Sequence, residues 1–524
     1  MPGADSARGA EGSAATRRHL RGSSLLLLGR LISLVANFAV QVLTVRYLAK
    51  TDYGAYAYAT ALVSMGTHAN LLGLNKAVAR FLPIYETKRD DASLAGGLLV
   101  SFGALIGLGL AIVCLTLGLR STLIGGYGVD AQSVGLLMIL VALVPLGALD
   151  GLFQSLVAVF AHPRAIFWRR HVLGPGLRLA AILFVMATSG SVRALAVASV
   201  VAGALGVAAY AALLRGVLAR QGWLTRLRAC RPRLPSRELL GFGLPLLASD
   251  LGMIGRTTLP IIVLEAFRGV ESVAELRAVV PLAGLNLIVL QGMKPLFLPT
   301  ASRLFAREDP PALTDLFWKT ALWTALLSFP IAAVTTFLAD PLTVALFGER
   351  YARAGTLLAV LAIGNYIHAA LGLNSYVLQV YARVHWLLAT HALGALIAVG
   401  LAWFLAAEHG ALGAAIAISV GLVVQNLVCH VGLVWRTDLR LGQLTFWATY
   451  AAIAGAALAL FVLSNVVGPT AWLLVAVAAV TLALLRLFRR SLDIEATFPE
   501  LARVPLLGAL LGLGRGSAEH GLRR

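Results

Sequence analysis

The sequence predicts an all-α polytopic integral membrane protein with about 14 transmembrane helices, and three observations carry that class. First, 59% of the 524 residues are hydrophobic and only 13% are Asp, Glu, Lys or Arg, against about 25% charged residues in ordinary soluble domains. Mean hydropathy is +0.85, and Gly, more frequent in membrane helices than in soluble ones, contributes 52 residues. Second, long apolar runs recur along the whole chain and rarely alternate in polarity, as helices crossing a bilayer do and strands do not. Third, positive charge alternates from one interhelical loop to the next. Together these exclude a soluble globular enzyme.

A crossing helix takes about 20 mostly apolar residues. Runs of that kind fall at 23–46, 53–75, 94–119, 134–160, 172–188, 193–214, 239–264, 273–300, 314–338, 355–380, 385–406, 410–434, 443–466 and 469–487. Before the first, Thr16-Arg17-Arg18-His19-Leu20-Arg21 followed by Leu25 to Leu28 has the outline of a signal peptide. The apolar run continues past Arg30 to about Leu48, with no small-residue cleavage site close behind. A retained first span is therefore expected, its start held in the cytosol by the basic segment.

Loop charge tests the count. The even-numbered loops and both tails hold 29 Lys and Arg residues, and the odd-numbered loops hold 8. A wrong number of spans would scramble that alternation. By the positive-inside rule both termini lie in the cytosol. Most of the net charge of +19 is thus topology, and no nucleic-acid partner is expected.

No loop is long enough for a folded domain. The expected organisation is a basic cytosolic segment (1–22), a first lobe of six spans (23–214), a basic linker (215–238) carrying Pro232 and Pro235, and a second lobe of six (239–434). Two extra spans (443–487) and a cytosolic tail (488–524) follow. In the tail, Val504 to Leu513 is apolar but broken by Pro505, and both an interfacial helix and a mobile tail are open readings. Phe81-Leu82-Pro83 and Phe297-Leu298-Pro299 lie 216 residues, or six spans, apart, each at the cytosolic end of an out-to-in helix. An even offset keeps the orientation, so the lobes form a parallel pseudo-repeat.

Polar residues inside the spans carry the functional information. Arg30, Ser33, Asn37, Gln41 and Thr44 share one face of the first helix, and Tyr53, Tyr56, Thr60, Ser64 and Thr67, with His68 beside them, share one face of the second. Asn365, His368, Gly372, Ser375 and Gln379 make a third stripe in the tenth. Lipid would not tolerate such faces, so they turn toward a water-filled cavity or bond neighbouring helices. Arg30, Lys76, Arg178, Arg256, Lys294 and Lys319 lie within or at the ends of spans, Arg256 deepest. The lysines have a second reading, snorkelling to the interface. Asp150 and Asp250 either pair with arginines or carry a coupling proton or sodium ion. Cations outnumber acids, which suits an anionic substrate such as a phosphate or pyrophosphate.

Catalytic chemistry finds no support. Cys114, Cys230 and Cys429 are odd in number and widely spaced. The ten histidines show no metal-ligand spacing. No phosphate loop is present, and Asp493-Ile494-Glu495 stands alone in the tail. No cofactor, metal or catalytic residue is expected.

The opening stretch resembles the start of Wzx-type polysaccharide flippases of the multidrug, oligosaccharidyl-lipid and polysaccharide export superfamily. The residues that carry the resemblance are Gly29-Arg30, Arg46-Tyr47-Leu48 with Asp52-Tyr53-Gly54, and Gly73-Leu74 with Arg80-Phe81-Leu82-Pro83. It covers about the first 60 residues of the spans by motif and nearly the whole chain by topology. The resemblance implies twelve core helices in two lobes, often with two more. It further implies transfer of an undecaprenyl-pyrophosphate-linked oligosaccharide from the inner to the outer leaflet of the bacterial cytoplasmic membrane, by alternating access through a cationic cavity, for O-antigen, exopolysaccharide or capsule synthesis. Arg30 matches a first-helix position where relatives often carry a basic residue. The expected cavity residues are Arg30, Asn37, Gln41, Lys76, Arg178, Arg256, Lys294, Asn365 and His368, with Asp150 and Asp250 as ion-coupling candidates. Membrane lipids and a glycan polymerase or export machinery are the further expected partners. A peptidoglycan-precursor flippase would call for more embedded arginines. A small-molecule antiporter of the multidrug branch would call for more embedded acids.

Overall fold

The computed structural model describes residues 29–125, 129–160, 167–220, 230–437, 444–468 and 471–489, with isolated positions besides. The basic segment 1–22, the Asp493–Glu495 triplet and nearly all of the tail lie outside the described residues. Among the described residues there is no strand. Ten helical stretches are long and apolar enough to cross a membrane, with Ser236–Ala306 counted as one and Ala131–Leu140 and Trp472–Leu487 apolar but shorter. The chain is an all-α polytopic membrane protein.

In chain order the helices are α1 (29–47), α2 (Lys50–Leu71), α3 (Leu74–Thr87), α4 (Asp91–Gly118), α5 (Arg120–Gly125), α6 (Ala131–Leu140) and α7 (Leu143–Phe160). A π-helical turn, Phe167–Leu173, leads into α8 (Gly174–Ala187), and α9 (Val192–Arg220) follows. Then come α10 (Ser236–Ala283), α11 (Ile288–Ala306), α12 (Pro310–Phe337), α13 (Ala339–Phe347), α14 (Ala354–Leu371) and α15 (Asn374–Val380). The last four are α16 (Val384–His409), α17 (Ala411–Arg436), α18 (Leu444–Val467) and α19 (Ala471–Leu487).

Several stretches expected as single spans are broken. The 53–75 run ends its first helix at Leu71, because Leu72 (φ 49°) and Gly73 (φ 67°) turn left-handed before α3 restarts. Gly73 is needed twice over: its φ is positive, and a Cβ there would strike the carbonyl of Gly243. The 134–160 run breaks at Val141–Ala142 and the 355–380 run at Gly372–Leu373. The 172–188 run begins earlier, in the π-helical turn. Residues 265–272, read as an outer loop, are helical apart from a break at Gly269 (φ 71°, ψ −178°). Such breaks stay invisible to hydropathy because a buried break exposes no additional polar surface.

Two turns, one in each half of the sequence, share the same construction. Arg89 (φ 56°) and Glu308 (φ 54°) are both left-handed without being glycine. The amide of Asp90 donates to Tyr85 O (2.9 Å) and that of Asp309 to Leu304 O (3.2 Å). Each Asp then caps a 28-residue helix, accepting from the amide of Ser93 in α4 and of Ala312 in α12. The bond from the Ser93 amide holds the Asp90 carboxyl below the usual carboxylate range. A short helix, α5 or α13, follows each. The two turns stand 219 residues apart.

The chain divides into two compact units: residues up to Ile254 with Gly269–Ala274, and Gly255–Arg268 with Glu275 onward. In the first, Leu74, Val78 and Leu82 of α3 pack with Leu94, Leu105, Leu152, Leu156 and Tyr210 in one apolar core. Gly54 lets α2 lie against the backbone of Val270, whose carbonyl a Cβ would strike. The second unit is built around α12, where Phe317, Trp318, Leu322 and Phe329 are buried. Trp318 stacks on Phe446 of α18 (centroids 5.7 Å, 9°), and Tyr450 donates to Ala370 O (2.9 Å). The two extra helices thus cover the face of α12.

Candidate functional site

Within the first unit, α1, α2, α7, α8 and α9 form a cavity of about 460 Å3 whose aliphatic walls carry a set of polar and charged side chains. Thr44 of α1 and Tyr56, Thr60, Ser64 and Thr67 of α2 line it, facing Asp150 of α7, Arg169 of the π-helical turn, Arg178 of α8 and Ser199 of α9. Helical spacing places four α2 residues there together, as the sequence periodicity requires. The fifth member of that stripe, Tyr53, is buried instead and accepts from Gln41 Nε2 at 2.8 Å. Gln41 is therefore a bridge between α1 and α2 rather than a group lining the cavity.

Two arginines and one carboxylate set the charge. Arg169 is 6% exposed and makes three contacts: an ion pair with Asp150, a bond from Nε to Gly206 O at 3.1 Å, and a stack over the Tyr210 ring at 4.1 Å. Its place depends on Gly206, where a Cβ would meet the guanidinium at 2.6 Å. Arg178 is less committed. Its Nη1 donates to Asn37 Oδ1 at 3.2 Å, and among the described residues no carboxylate lies within ion-pairing distance of it. The hydroxyl pair Tyr56–Ser199 (3.0 Å) closes one wall, Ser199 donating onward to Leu195 O at 2.7 Å. Near the start of α1, Ser33 Oγ lies 3.0 Å from His171 Nδ1 and donates to the carbonyl of Arg30.

Of the expected site residues in this unit, Arg178 and Asp150 line the cavity, and Asn37 bonds Arg178 without lining it. Lys76 and Asp250 meet each other, Nζ to Oδ1 at 2.7 Å, joining α3 to the start of α10. Tyr85 donating to Glu238 at 2.7 Å adds a second bond between the same helices.

In the second unit, Arg256 is 9% exposed and donates from Nη1 to Gln425 Oε1 at 2.8 Å, while its Nε has no hydrogen-bond partner. His368 Nδ1 lies 2.9 Å from Asn426 Nδ2, and Asn426 Oδ1 accepts from Asn374 at 2.6 Å. Ser375 reaches Cys429, which donates to Thr390 at 3.4 Å. The tenth-span stripe thus differs from the cavity expectation: His368 and Ser375 are taken up by bonds to α17. Both sides of the break at Gly372–Leu373 meet α17, His368 before it and Ser375 after it, because α17 packs along both helices. Asn365 is half-buried one turn away. Lys294 lies over the Tyr376 ring at 4.7 Å, and Lys319 pairs with Asp315 one turn back at 2.9 Å.

Sequence reasoning counted Arg169 with the loop charges and missed it as a site residue. The available signal was the shortness of the fifth span, 172–188, whose missing turn supplies Phe167 to His171. No group of three or more His, Cys, Asp or Glu residues placed to hold a metal occurs among the described residues.

No curated protein sequence matches the chain at a significant level. Solved structures do match. An inward-facing multidrug resistance MATE family transporter of the MOP superfamily aligns at 18% identity with TM-score 0.65, over 77% of this chain and 94% of that one. Lipid II flippase MurJ, in an inward closed conformation, aligns at 14% identity with TM-score 0.67, over 90% of this chain and all of that one. A MOP superfamily transporter from Pyrococcus furiosus aligns at 17% identity with TM-score 0.55, over 80% and 95%. At these identities the likeness is one of fold, the fold of MOP superfamily transporters. Residues 19–305, more than half of the chain, match the family described as "Polysaccharide biosynthesis protein", and the chain belongs to that family.

Proposed function

We propose that this protein is a flippase moving a polyprenyl-pyrophosphate-linked oligosaccharide from the inner to the outer leaflet of the bacterial cytoplasmic membrane. The carrying observation is a hydroxyl-lined cavity with an excess guanidinium, inside the bilayer-spanning part of a member of a polysaccharide biosynthesis family. Thr and Ser hydroxyls suit a sugar passing through, and cations suit a substrate that carries negative charge. Fourteen spans with both termini cytosolic fit the loop charges. Arg30, Arg178, Arg256, Lys76 and Lys294 are the cations of the path, with Asn37, Gln41, Asn365 and His368 supporting it. Asp150, held by Arg169, and Asp250, held by Lys76, are the groups whose protonation would release an ion pair and couple transport to an ion gradient. A glycan polymerase is the partner that such a product would feed.

The test is deletion of the gene, followed by assay of surface polysaccharide and extraction of undecaprenyl-linked oligosaccharide from the same cells. Loss of surface polymer with repeat units trapped on the cytosolic leaflet is the expected result, and well-expressed Arg178→Ala should reproduce it. Unchanged polymer together with sensitivity to organic cations would replace this reading with an antiporter. Rescue of cells depleted of their lipid II flippase would replace it with peptidoglycan-precursor transport.

A further inference from the structure

The geometry points to an acidic sugar, one carrying a single carboxylate, as the ligand of the first unit's cavity; the inference rests on the flippase reading and names its substrate class. The argument is a census of donors and acceptors. Thr44, Thr60 and Thr67 spend their hydroxyl protons on carbonyls of their own helices, at 2.7, 3.0 and 2.8 Å. A hydroxyl that has donated keeps its lone pairs. The α1–α2 wall therefore offers mainly acceptors, and its ligand must bring donors. A sugar's hydroxyls do so.

The opposite wall supplies the charge. Arg169 is neutralised by Asp150 in direct contact. Arg178 donates to the neutral amide of Asn37 and shares Asp150 with Arg169 only through space, without a direct ion pair. One cationic charge in the cavity is thus left over, and a neutral sugar would leave it so. A pyrophosphate would bring two negative charges and no donors, setting its oxygens against the threonine lone pairs. A hexuronic acid matches both walls, with hydroxyls toward α1 and α2 and a carboxylate on the guanidinium of Arg178, a pairing whose geometry is bidentate. The volume, about 460 Å3, holds a short saccharide and lies in the range of small-molecule sites.

The experiment uses the full-length protein in lipid nanodiscs with D-glucuronate, D-glucose and inorganic pyrophosphate as probes, bound in competition and read by saturation-transfer NMR. Glucuronate should bind about tenfold or more tighter than glucose, the scale of one charge-assisted hydrogen bond. Arg178→Gln should erase that preference, and Arg178→Lys should keep part of it. Equal binding of the two sugars, displacement of glucuronate by pyrophosphate at lower concentration, or a preference that survives Arg178→Gln would each overturn the inference. The flippase reading fails separately. If deletion leaves lipid-linked repeat units on the outer leaflet while the glucuronate preference holds, transport of that lipid is refuted and the sugar site stands. If deletion traps repeat units but the two sugars bind equally, the reverse follows.

Discussion

Removing Arg169 should destabilise the first unit far more than removing its partner, and the contacts say by how much. Arg169→Met deletes a buried guanidinium that bonds Gly206 O, stacks on Tyr210 and pairs with Asp150. Two unit charges about 4 Å apart interact by about 4 kcal/mol at an effective dielectric constant near 20. The Asp150 side chain keeps 42% of its exposure toward the cavity, so solvent screening reduces the coupling to about half, near 2 kcal/mol. The charged bond to a carbonyl adds about 1.5 kcal/mol and the cation–π contact about 1 kcal/mol. Arg169→Met should therefore cost about 4 kcal/mol, within the general range for breaking a buried pair, and Asp150→Asn, at the half-exposed partner, about 2 kcal/mol. The double variant should cost about 2 kcal/mol less than the sum of the singles. Reversible unfolding in mixed micelles by SDS titration measures all three. A coupling below about 0.5 kcal/mol, or equal costs for the two single variants, would refute the assignment of Arg169 as the residue that holds this wall.

Three further predictions follow from the packing. Gly54→Ala and Gly73→Ala should each cost about 1–3 kcal/mol through collision with a backbone carbonyl, and Gly73→Ala about 1 kcal/mol more for its positive φ. Gly107→Ala, which meets open space, should be neutral or stabilising in the same SDS titration. Lys76→Glu or Asp250→Lys alone should lower stability and surface polymer, whereas the double exchange should restore both within about 1 kcal/mol, since the pair is partly solvent-screened; no restoration would mean that the pair is incidental. Asp90→Ala and Asp309→Ala should each cost about 0.5–2 kcal/mol as lost helix caps. Because the folded protein holds the Asp90 carboxyl low, its contribution is complete above about pH 4 and is lost as pH falls through the folded value. Wild type and Asp90→Ala should accordingly converge in stability as the medium is acidified.

The all-α membrane class and one polar helix face were legible before any coordinates, because they depend on local chemistry. Apolar run length reports a bilayer crossing, since a helix satisfies its own backbone. The α2 stripe of Tyr56, Thr60, Ser64 and Thr67 was legible because helical periodicity alone puts those residues on one face. Phe81-Leu82-Pro83 and Phe297-Leu298-Pro299 pointed to the repeat, although the repeated capped turns at Asp90 and Asp309 carry it more firmly.

Partnership was not legible. Asp150 and Arg169 are 19 residues apart across a stretch read as a cytosolic loop, and Asn37 and Arg178 are separated by 141. Which acid meets which base depends on how helices distant in sequence pack. That packing is decided by glycines such as Gly54, Gly73 and Gly206, whose missing Cβ admits a carbonyl or a guanidinium. The same holds for the tenth-span stripe, whose spacing matches that of α2 yet ends in bonds to α17, because α17 packs along both sides of the break at Gly372–Leu373. Periodicity specifies a polar face of a helix, and only the neighbours that tertiary packing brings to that face decide whether it meets water, a sugar or another helix.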